Sequence, residues 1–408
     1  QRKWAMTAIA IGISVAVLDG AIANVALPTI AQDLNVNPAS SIWVVNAFQL
    51  AVTISLLAFS SLGDLWGYKK VYVGGLLLFS ITSLICALSD SFWTLVLARG
   101  LQGFGAAAIT SVNTALLRII YPSRLLPRGM GTNALIIAVA AAAGPTVAAG
   151  ILSVAPWPWL FAINVPIGLT AFILSAKFLP HNPVKVEGQR FDVPSAILNA
   201  LTFGLLISCI DGFAHDIRLY ILIPGILVML SFGYFFIRRQ LHHPFPLLPV
   251  DLMKNRTFSL SVVTSVVAFI AQMLALVSVP FFFQRILHLN EVETGLLLTP
   301  WPIATMISAP LAGRLMSRMN AGLLGGIGFG TFLTPNNSTI IASAPPNRSG
   351  GASGMLGMAR LLGQTIGAAA AAIMFAVFPT NGMRISLTFG AGFAILSAII
   401  SSLRRKKT

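Results

Sequence analysis

Long apolar segments, separated by short polar ones, constrain this chain more than any other feature of its sequence. A helix needs about 20 apolar residues to cross a bilayer core about 30 Å thick. Only 9% of the 408 residues are charged and 56% are hydrophobic, whereas about 25% of the residues in soluble domains are charged. Backbone groups in lipid must be hydrogen-bonded within the segment, and the alternating pattern of a β-barrel is absent from the sequence. We therefore predict an all-α polytopic membrane protein.

Hydropathy predicts thirteen spans, which fall into three groups. We expect an N-terminal six-helix half in residues 1–180, a linker region with two extra transmembrane helices in 181–256, and a C-terminal half in 257–408. Two related halves with a binding site between them are a common plan for secondary transporters. The predicted spans are 5–27, 42–62, 71–89, 92–117, 130–153, 160–179, 194–211, 219–237, 257–284, 294–313, 322–342, 352–377 and 386–403.

The odd number of spans conflicts with basic clusters near both ends of the chain, since each cluster is predicted to be cytoplasmic. The span that ends at Gly313 is followed by two arginines, which predict a cytoplasmic end. Counted back from the cytoplasmic basic residues 404–407, however, the next span must begin outside the cell. The few residues between Arg318 and Leu323 are far too short for another crossing. We therefore predict that one second-half helix is missing from the chain at this point.

The net charge of +15 follows from the positions of 26 basic residues. With the N-terminus inside, 21 of them fall in predicted cytoplasmic segments, three fall outside and two lie within spans. This positive-inside asymmetry predicts a multi-pass protein of the cell inner membrane with both termini cytoplasmic. It also explains the basic charge without a nucleic-acid partner.

Enzymatic chemistry has no support in the sequence. The two cysteines, Cys86 and Cys209, lie in apolar runs and are expected to be packing residues. No metal-ligand cluster, nucleophile–base arrangement or phosphate-binding Walker A motif is visible in the sequence. We expect no cofactor, no metal and no enzymatic activity, and an energy source other than ATP.

Arg99 lies within the apolar run 92–117, where a central arginine opposes insertion by about 2.5 to 3.5 kcal/mol. Gln102 and Gly103 follow at i+3 and i+4 and share one helix face with it. Gly103 allows another helix to approach closely. Arg99 could bias the protonation of a nearby carboxylate during a transport cycle, or it could be a static structural anchor.

Asp19 is the only one of eleven acidic residues that lies well inside a predicted span. A carboxylate in a low-dielectric site can bind and release protons within an accessible pH range. It could serve proton coupling or cation recognition, with a structural hydrogen bond as the alternative. Asp211, at a span end, is a weaker candidate. Arg360, inside its span, is another, although it could instead snorkel to the cytoplasmic surface.

Two backbone motifs indicate conformational exchange between the halves. Asp64, Gly67 and Lys69 form a predicted gating motif at a helix junction, where the carboxylate can hold a neighbouring helix end and the glycine permits a tight turn. The alternative is an ordinary basic loop. Gly144 and Pro145 interrupt the hydrogen-bond ladder of the fifth span and could govern bending or simply allow packing.

Together these motifs resemble the major facilitator superfamily, and within it the fourteen-helix drug:proton antiporters. The resemblance covers nearly the whole chain, although Ser60, Leu65 and Tyr68 replace the usual residues of the cytoplasmic motif. It implies fourteen helices, in agreement with the parity of the spans. The matching residues are Asp64, Gly67 and Lys69 after the second helix; Leu95, Arg99, Gln102, Gly103, Gly105, Ala106 and Ala107 in the fourth; Gly144 and Pro145 in the fifth; Leu18, Asp19, Asn24, Ala26, Leu27 and Pro28 in the first; and Trp157, Trp159, Phe161, Asn164, Pro166 and Gly168.

The resemblance implies proton-coupled multidrug efflux by alternating access, with amphipathic and cationic drugs, antiseptics or dyes as substrates. Export of an endogenous metabolite or amino acid is the alternative, and a membrane-embedded enzyme or receptor is a remote one. The expected partners are small-molecule drugs, protons and the lipid bilayer, and the expected state is a monomer. Eight residues could line an aromatic, polarizable cavity: Asn24, Phe48, Gln49, Gln102, Gln272, Met273, Phe282 and Trp301.

Overall fold

A computed structural model of the chain describes residues 2–36, 38–41, 43–181, 191–214, 219–243, 246–288, 297, 300–315, 329–378 and 381–404. Helices dominate these residues, so the predicted all-α class is confirmed. The helices are α1 Arg2–Asp33, α2 Pro38–Ser41, α3 Trp43–Trp66, α4 Tyr68–Ala87, α5 Phe92–Ile120, α6 Leu126–Leu152, α7 Pro158–Ala162, α8 Asn164–Phe178, α9 Val193–Ala214, α10 Leu219–His242, α11 Arg256–Arg285, α12 Pro300–Leu315, α13 Phe329–Ser343, α14 Ser349–Val377 and α15 Gly382–Ser402.

Local sequence signals set several helix boundaries. The Ser91 side chain accepts the backbone N–H of Thr94 at the start of α5, and Asn255 accepts those of Thr257 and Phe258 at the start of α11. Each cap satisfies N–H groups that have no partner within the helix. Gly67 has φ 100° between α3 and α4, a conformation that glycine adopts without a steric cost.

The N-terminal helices pack around α5, the most buried of them. Both α3 and α4 pack along α5, while α1 packs on α6 and α8. Small residues of α5, including Gly105 and Ala106, permit the close approach, since a Cβ on Gly105 would come within 2.7 Å of the Phe79 backbone. Close approach through small residues is a usual device of membrane helices.

The second half is organised around α11, which packs against α14 and α15. The two halves meet where α6 contacts α12 and where α3 and α5 contact α14. The extra helices α9 and α10 pack on each other, and α9 leans on α3. The pair also touches the second half, since Met358 of α14 packs in one apolar cluster with Phe236 of α10.

The described residues hold ten helices that are long and apolar enough to cross a membrane, together with the shorter apolar helices Val193–Cys209 and Ile303–Gly313. Each of the thirteen predicted spans overlaps a helix of the structure. The crossing predicted to be missing falls between residues 318 and 323, outside the described residues. Fourteen helices therefore stay a prediction.

Candidate functional site

A buried ion pair joins the two residues that the sequence singles out. Nη1 of Arg99 donates to Oδ2 of Asp19 over 2.5 Å, and the two side chains are 0% and 1% exposed. They stand on α5 and α1, which cross inside the N-terminal half. Each charge offsets the desolvation of the other, which is the usual condition for burying an ion pair.

Three further polar side chains complete a network around Asp19. Nδ2 of Asn164 donates to Oδ1 of Asp19 over 2.7 Å, and Nε2 of Gln102 donates to the same oxygen over 3.1 Å. Gln102 also donates to Oγ of Ser83 over 2.8 Å and accepts from Arg99 over 2.5 Å. Helices α1, α4, α5 and α8 therefore each contribute one or more members.

Backbone and aromatic groups hold the Arg99 guanidinium in place. Its Nε donates to the carbonyl oxygen of Val44 over 3.1 Å. The guanidinium carbon lies 4.3 Å from the ring centroid of Phe48 and 5.3 Å from that of Phe161. Cation–π contacts of this kind are strongest where the cation is removed from water. This network, called the Asp19 network below, lies in the interior of the first half.

A separate cavity of about 740 Å³ lies between the two halves. Residues of α1, α3, α5 and α6 line it from the first half, and residues of α11, α12, α13 and α14 line it from the second. Ligand sites of this size are typical for small organic molecules. Neither Asp19 nor Arg99 lines it, so Asp19 cannot contact a cation bound in the cavity in this conformation.

Two of the eight predicted pocket residues, Gln272 and Trp301, line the cavity, and so does the lower-ranked candidate Arg360. Arg360 shares one face of α14 with Ser353, Gly357 and Gln364. Of the described residues that line the cavity, Arg360 alone carries a charge at neutral pH. Amides from both halves accompany it, namely Asn113, Asn133, Gln272, Asn337 and Gln364.

The other six predicted pocket residues do not line this cavity. Hydropathy places a residue in a span but does not fix the direction in which its side chain points. Phe48 and Gln102 belong to the surroundings of Arg99. Asn24 and Gln49 are exposed, and Asn24 donates to the carbonyl oxygen of Gly20.

The last two of the six pack within the second half. Met273 lies against Gly367, where an added Cβ would come within 2.8 Å of the Met273 Cβ. The ring of Phe282 pairs with that of Phe283, 6.3 Å between centroids.

Asp64 connects the halves at the end of α3. Its Oδ1 accepts the backbone N–H of Gly350 over 2.9 Å and its Oδ2 accepts that of Gly351 over 3.0 Å. Tyr68 donates its hydroxyl to the same carboxylate over 2.6 Å. Gly350 and Gly351 form the first turn of α14, whose N–H groups and dipole favour an anion. The carboxylate thus caps a helix of the opposite half.

Arg118, near the end of α5, adds a second connection at this place. Its guanidinium donates to the carbonyl oxygens of Ala344 and Pro345 over 2.7 and 3.3 Å and to Oγ of Ser349 over 2.9 Å. One turn away the hydroxyls of Thr114 and Ser353 are hydrogen-bonded. Since both of these residues line the cavity, the contacts bound the cavity at the Asp64 end of the molecule.

The other two residues of the predicted gating motif differ from Asp64. Gly67 forms the turn that its φ angle requires. The Lys69 side chain is half-buried, and within the described chain it makes no hydrogen bond or ion pair. Lys69 is therefore not part of the contact between the halves, because the connection runs through the carboxylate and Tyr68.

The predicted packing glycines lie at close helix contacts. A Cβ on Gly103 would come within 2.5 Å of the Phe48 carbonyl oxygen, and a Cβ on Gly144 would collide with Ala21 of α1. Pro145 stands within α6 and is exposed. The remaining weaker candidate, Asp211, lies in α9, but its side chain is outside the described part of the structure.

Sequence reasoning missed several residues that complete these contacts. Ser83 is an unremarkable serine in an apolar run. Asn164 carries a signal, since it belongs to the motif that resembles the antiporter family. Arg118 could be mistaken for an ordinary loop arginine, and the first turn of α14 offers only backbone groups, which leave no side-chain signal.

Comparison with known proteins places this geometry in context. A sequence model of the family described as Major Facilitator Superfamily matches residues 9–324. An uncharacterized transporter of Escherichia coli, YebQ, is 56% identical over 437 aligned residues, which cover 99% of this chain and 96% of that protein. The alignment is longer than the 408 residues of this chain, so the relative carries additional residues within the aligned region.

More distant relatives bear functional names. The riboflavin transporter RibZ of Clostridioides difficile is 28% identical, covering 92% of this chain and 89% of that protein. A tetracenomycin C resistance and export protein of Streptomyces glaucescens is 26% identical, covering 93% and 78%. Among solved structures, the human organic anion transporter MFSD10 superposes with a TM-score of 0.67 at 14% identity, over 98% of this chain and 99% of that one. That likeness concerns the fold.

Proposed function

The chain belongs to the major facilitator superfamily, and from that membership we propose that it exports amphipathic organic molecules, drugs among them, in exchange for protons. The observation that carries the proposal is the cavity of about 740 Å³ between the two halves. It is built from both halves, so a rocking motion of one half against the other changes its access while the bound molecule stays in place.

The contacts of Asp64 and Arg118 support alternating access. They join the first half to the start of α14 at one end of the cavity. Arg2 of α1 lies 5.6 Å from the ring of Tyr121 at the end of α5, so basic helix termini gather at this same end. By the positive-inside rule we assign this end, and both chain termini, to the cytoplasm of a bacterial inner membrane. The structure then corresponds to a state closed toward the cytoplasm.

Asp19 is the proposed proton carrier. Protonation of its carboxylate removes the ion pair with Arg99. The guanidinium then keeps its hydrogen bond to Gln102, which lies 2.5 Å away. Because α1, α5 and α8 meet at this carboxylate, a change of its charge alters the packing of α1 and α5, which also line the cavity. Proton binding and cavity access are thereby linked within one half.

Relatives support export without fixing the substrate. One distant relative is named for export of tetracenomycin C and another for transport of riboflavin. Both an exporter of toxic compounds and a transporter of a cellular metabolite therefore agree with the comparisons. The mixture of apolar residues, amides and Trp301 in the cavity suits an aromatic molecule with hydrogen-bonding groups in either case.

Proteoliposomes test the proposal directly. The lumen is made acidic relative to the bath, and uptake of a panel of anionic, neutral and cationic aromatic compounds is measured by filtration. We expect at least one compound to accumulate above protein-free liposomes and to lose that accumulation when nigericin and potassium collapse the pH gradient. A panel with no protein-dependent uptake at all would contradict the proposed export.

The role of Asp19 needs its own variant. Asp19→Asn keeps the size and hydrogen-bonding oxygen of the side chain but cannot titrate. We expect substrate to exchange across the membrane while the pH gradient no longer drives accumulation. Asp90→Asn removes an exposed carboxylate between α4 and α5 and is the matched control. Gradient-driven accumulation that survives in Asp19→Asn would exclude Asp19 as the proton carrier.

A further inference from the structure

The charge of the cavity between the halves selects its cargo, an inference that rests on the proposed function of this cavity as the transport site. We propose that the cavity binds amphipathic organic anions, with the Arg360 guanidinium as counter-ion to a carboxylate or another anionic group of the cargo. The sequence alone favours cationic drugs, because Asp19 is the only acidic residue deep in a span. The structure separates Asp19 from the cavity and places a cation there instead.

Arg360 differs from the other arginine that lies deep within a span. Arg99 has an ion pair with Asp19, hydrogen bonds to Gln102 and Val44, and two aromatic rings around it. In the described part of the chain, Arg360 has no ion pair and no hydrogen bond with any residue. A charge without a partner in a low-dielectric setting is unfavourable and favours the binding of an opposite charge.

Two described acidic residues of helices that line the cavity are engaged elsewhere. Asp64 accepts from Tyr68 and from the start of α14, and Asp19 is paired with Arg99. None of the described residues that line the cavity is an aspartate or a glutamate. A cationic molecule in the cavity would therefore meet a like charge, whereas an anion would meet the guanidinium, whose planar fork binds carboxylates bidentately.

The rest of the lining fits the body of such a molecule. Trp301 and Phe269 offer aromatic surfaces, and Leu276 and Ile137 add aliphatic ones. Gln364, one turn after Arg360 on α14, can donate hydrogen bonds to the same anionic group. An aromatic acid, with its charge at Arg360 and its rings against the apolar wall, uses both kinds of lining.

Binding of a matched ligand series to the purified protein tests this inference. The probes are 2-naphthoate, 2-naphthamide and 2-naphthylmethylammonium, which share one aromatic body and carry negative, zero and positive charge. Equilibrium dialysis against detergent-solubilised protein, with empty micelles as reference, gives the three affinities. We expect the affinity for 2-naphthoate to be at least about tenfold higher than that for the amide, as a charge-assisted hydrogen bond allows. The ammonium should bind weakest. Equal affinities for the three probes would overturn the inference without any variant.

Variants locate the effect. Arg360→Gln should reduce 2-naphthoate affinity about tenfold or more while 2-naphthamide changes less than about twofold, and Arg360→Lys should retain part of the preference because it keeps the charge. Arg384→Gln removes an exposed arginine at the start of α15 and is the control. A 2-naphthoate affinity that is the same in wild type and Arg360→Gln would contradict the assignment of Arg360.

The binding assay also separates this inference from the proposed function. A charge preference that depends on Arg360 in a protein that transports nothing would sustain the binding site and refute the transporter proposal. Proton-driven uptake of aromatic compounds without any dependence on their charge or on Arg360 would sustain the transporter and refute the anion site.

Discussion

The carboxylate of Asp64 accepts the backbone N–H of Gly350 over 2.9 Å, although 286 positions separate the two residues in the sequence. The bond ties the end of α3 to the first turn of α14, and Asp64 is only 5% exposed. A negative charge at the positive end of a helix dipole stabilises this arrangement by roughly 0.3 to 2 kcal/mol, depending on burial. This free energy favours the state in which the two halves are in contact at this end.

We expect Asp64→Asn to shift the halves toward separation at this end, because the amide loses the charge that the helix terminus favours. A loss of about 1.4 kcal/mol corresponds to a tenfold change in the equilibrium between the two states. Electron–electron resonance distances between spin labels at Lys70→Cys and Ala342→Cys, with Cys86 and Cys209 replaced by alanine, report the change. Asp90→Asn is the control, and unchanged distance distributions in Asp64→Asn would refute the gating role.

The buried ion pair predicts a non-additive stability pattern. Asp19→Leu leaves Arg99 as an unpaired buried charge, and breaking such a pair costs about 3 to 5 kcal/mol. Arg99→Met in the same chain removes that charge, so the double variant should recover much of the lost thermal stability. Unfolding temperatures in detergent, followed by tryptophan fluorescence, measure the difference. If the double variant were as unstable as the sum of its two single variants, the two charges would not be energetically coupled.

Two glycines three residues apart on α5 predict opposite effects of the same substitution. Gly103→Ala places a Cβ within 2.5 Å of the Phe48 carbonyl oxygen and 2.7 Å of the Ala51 Cβ, and overpacking of this kind costs about 1 to 3 kcal/mol. Gly100→Ala meets no atom within 4 Å and should stabilise the helix by up to about 1 kcal/mol. The unfolding temperature should therefore fall in Gly103→Ala and stay level or rise in Gly100→Ala, and a similar response of both would contradict the close contact of α5 with α3.

A fourth prediction concerns pH and the charged cluster where α9 begins and α10 ends. Burial raises the pKa of Asp192, but hydrogen bonds from Arg239 and Ser195 lower it by more, so its pKa lies below the ordinary value of 3.8. Arg239 donates to its carboxylate over 2.9 Å. A lowered carboxyl pKa contributes stability that is present above the ordinary pKa and is lost as the pH falls through the folded-state pKa.

Arg239→Gln should therefore lower the unfolding temperature at neutral pH, and the difference from wild type should shrink only as the pH falls below 3.8 toward the lowered folded-state pKa of Asp192. Arg238→Gln, an exposed neighbour, is the control. Thermal unfolding at pH 7, 5, 4 and 3 measures the trend. A difference that is constant across this range would show that Arg239 acts through packing and not through the charge of Asp192.

The membrane helices and the pairing of Asp19 with Arg99 could be predicted from the sequence because their signals are local or rare. Apolar runs indicate helices directly. A single deep carboxylate has few possible counter-ions, so Asp19 and Arg99 are the expected ion pair. The lining of the cavity depends on the rotation of each helix about its own axis, which apolar residues on all sides leave unspecified. Phe48 accordingly packs against Arg99, while Arg360 lines the cavity.

The partner of Asp64 lay beyond prediction for another reason. The groups that it binds are backbone N–H groups of Gly350 and Gly351, which every residue except proline possesses, and they come near only after the second half has docked. The missing crossing between Arg318 and Leu323 stays a prediction. It agrees with the additional residues that the relative from Escherichia coli carries within the aligned region.

The guanidinium of Arg360, which has no partner among the residues that the structure describes, also has an electrical consequence for the proposed transport. One elementary charge that crosses the membrane exchanges about 2.3 kcal/mol with a potential of 100 mV. Export of a monovalent anion in exchange for one proton moves two positive charges into a cell whose interior is negative, whereas export of a monovalent cation moves none. Under the proposed exchange, the charge of one side chain in the cavity thus decides whether the voltage of the membrane, or the difference in acidity alone, drives the cargo out.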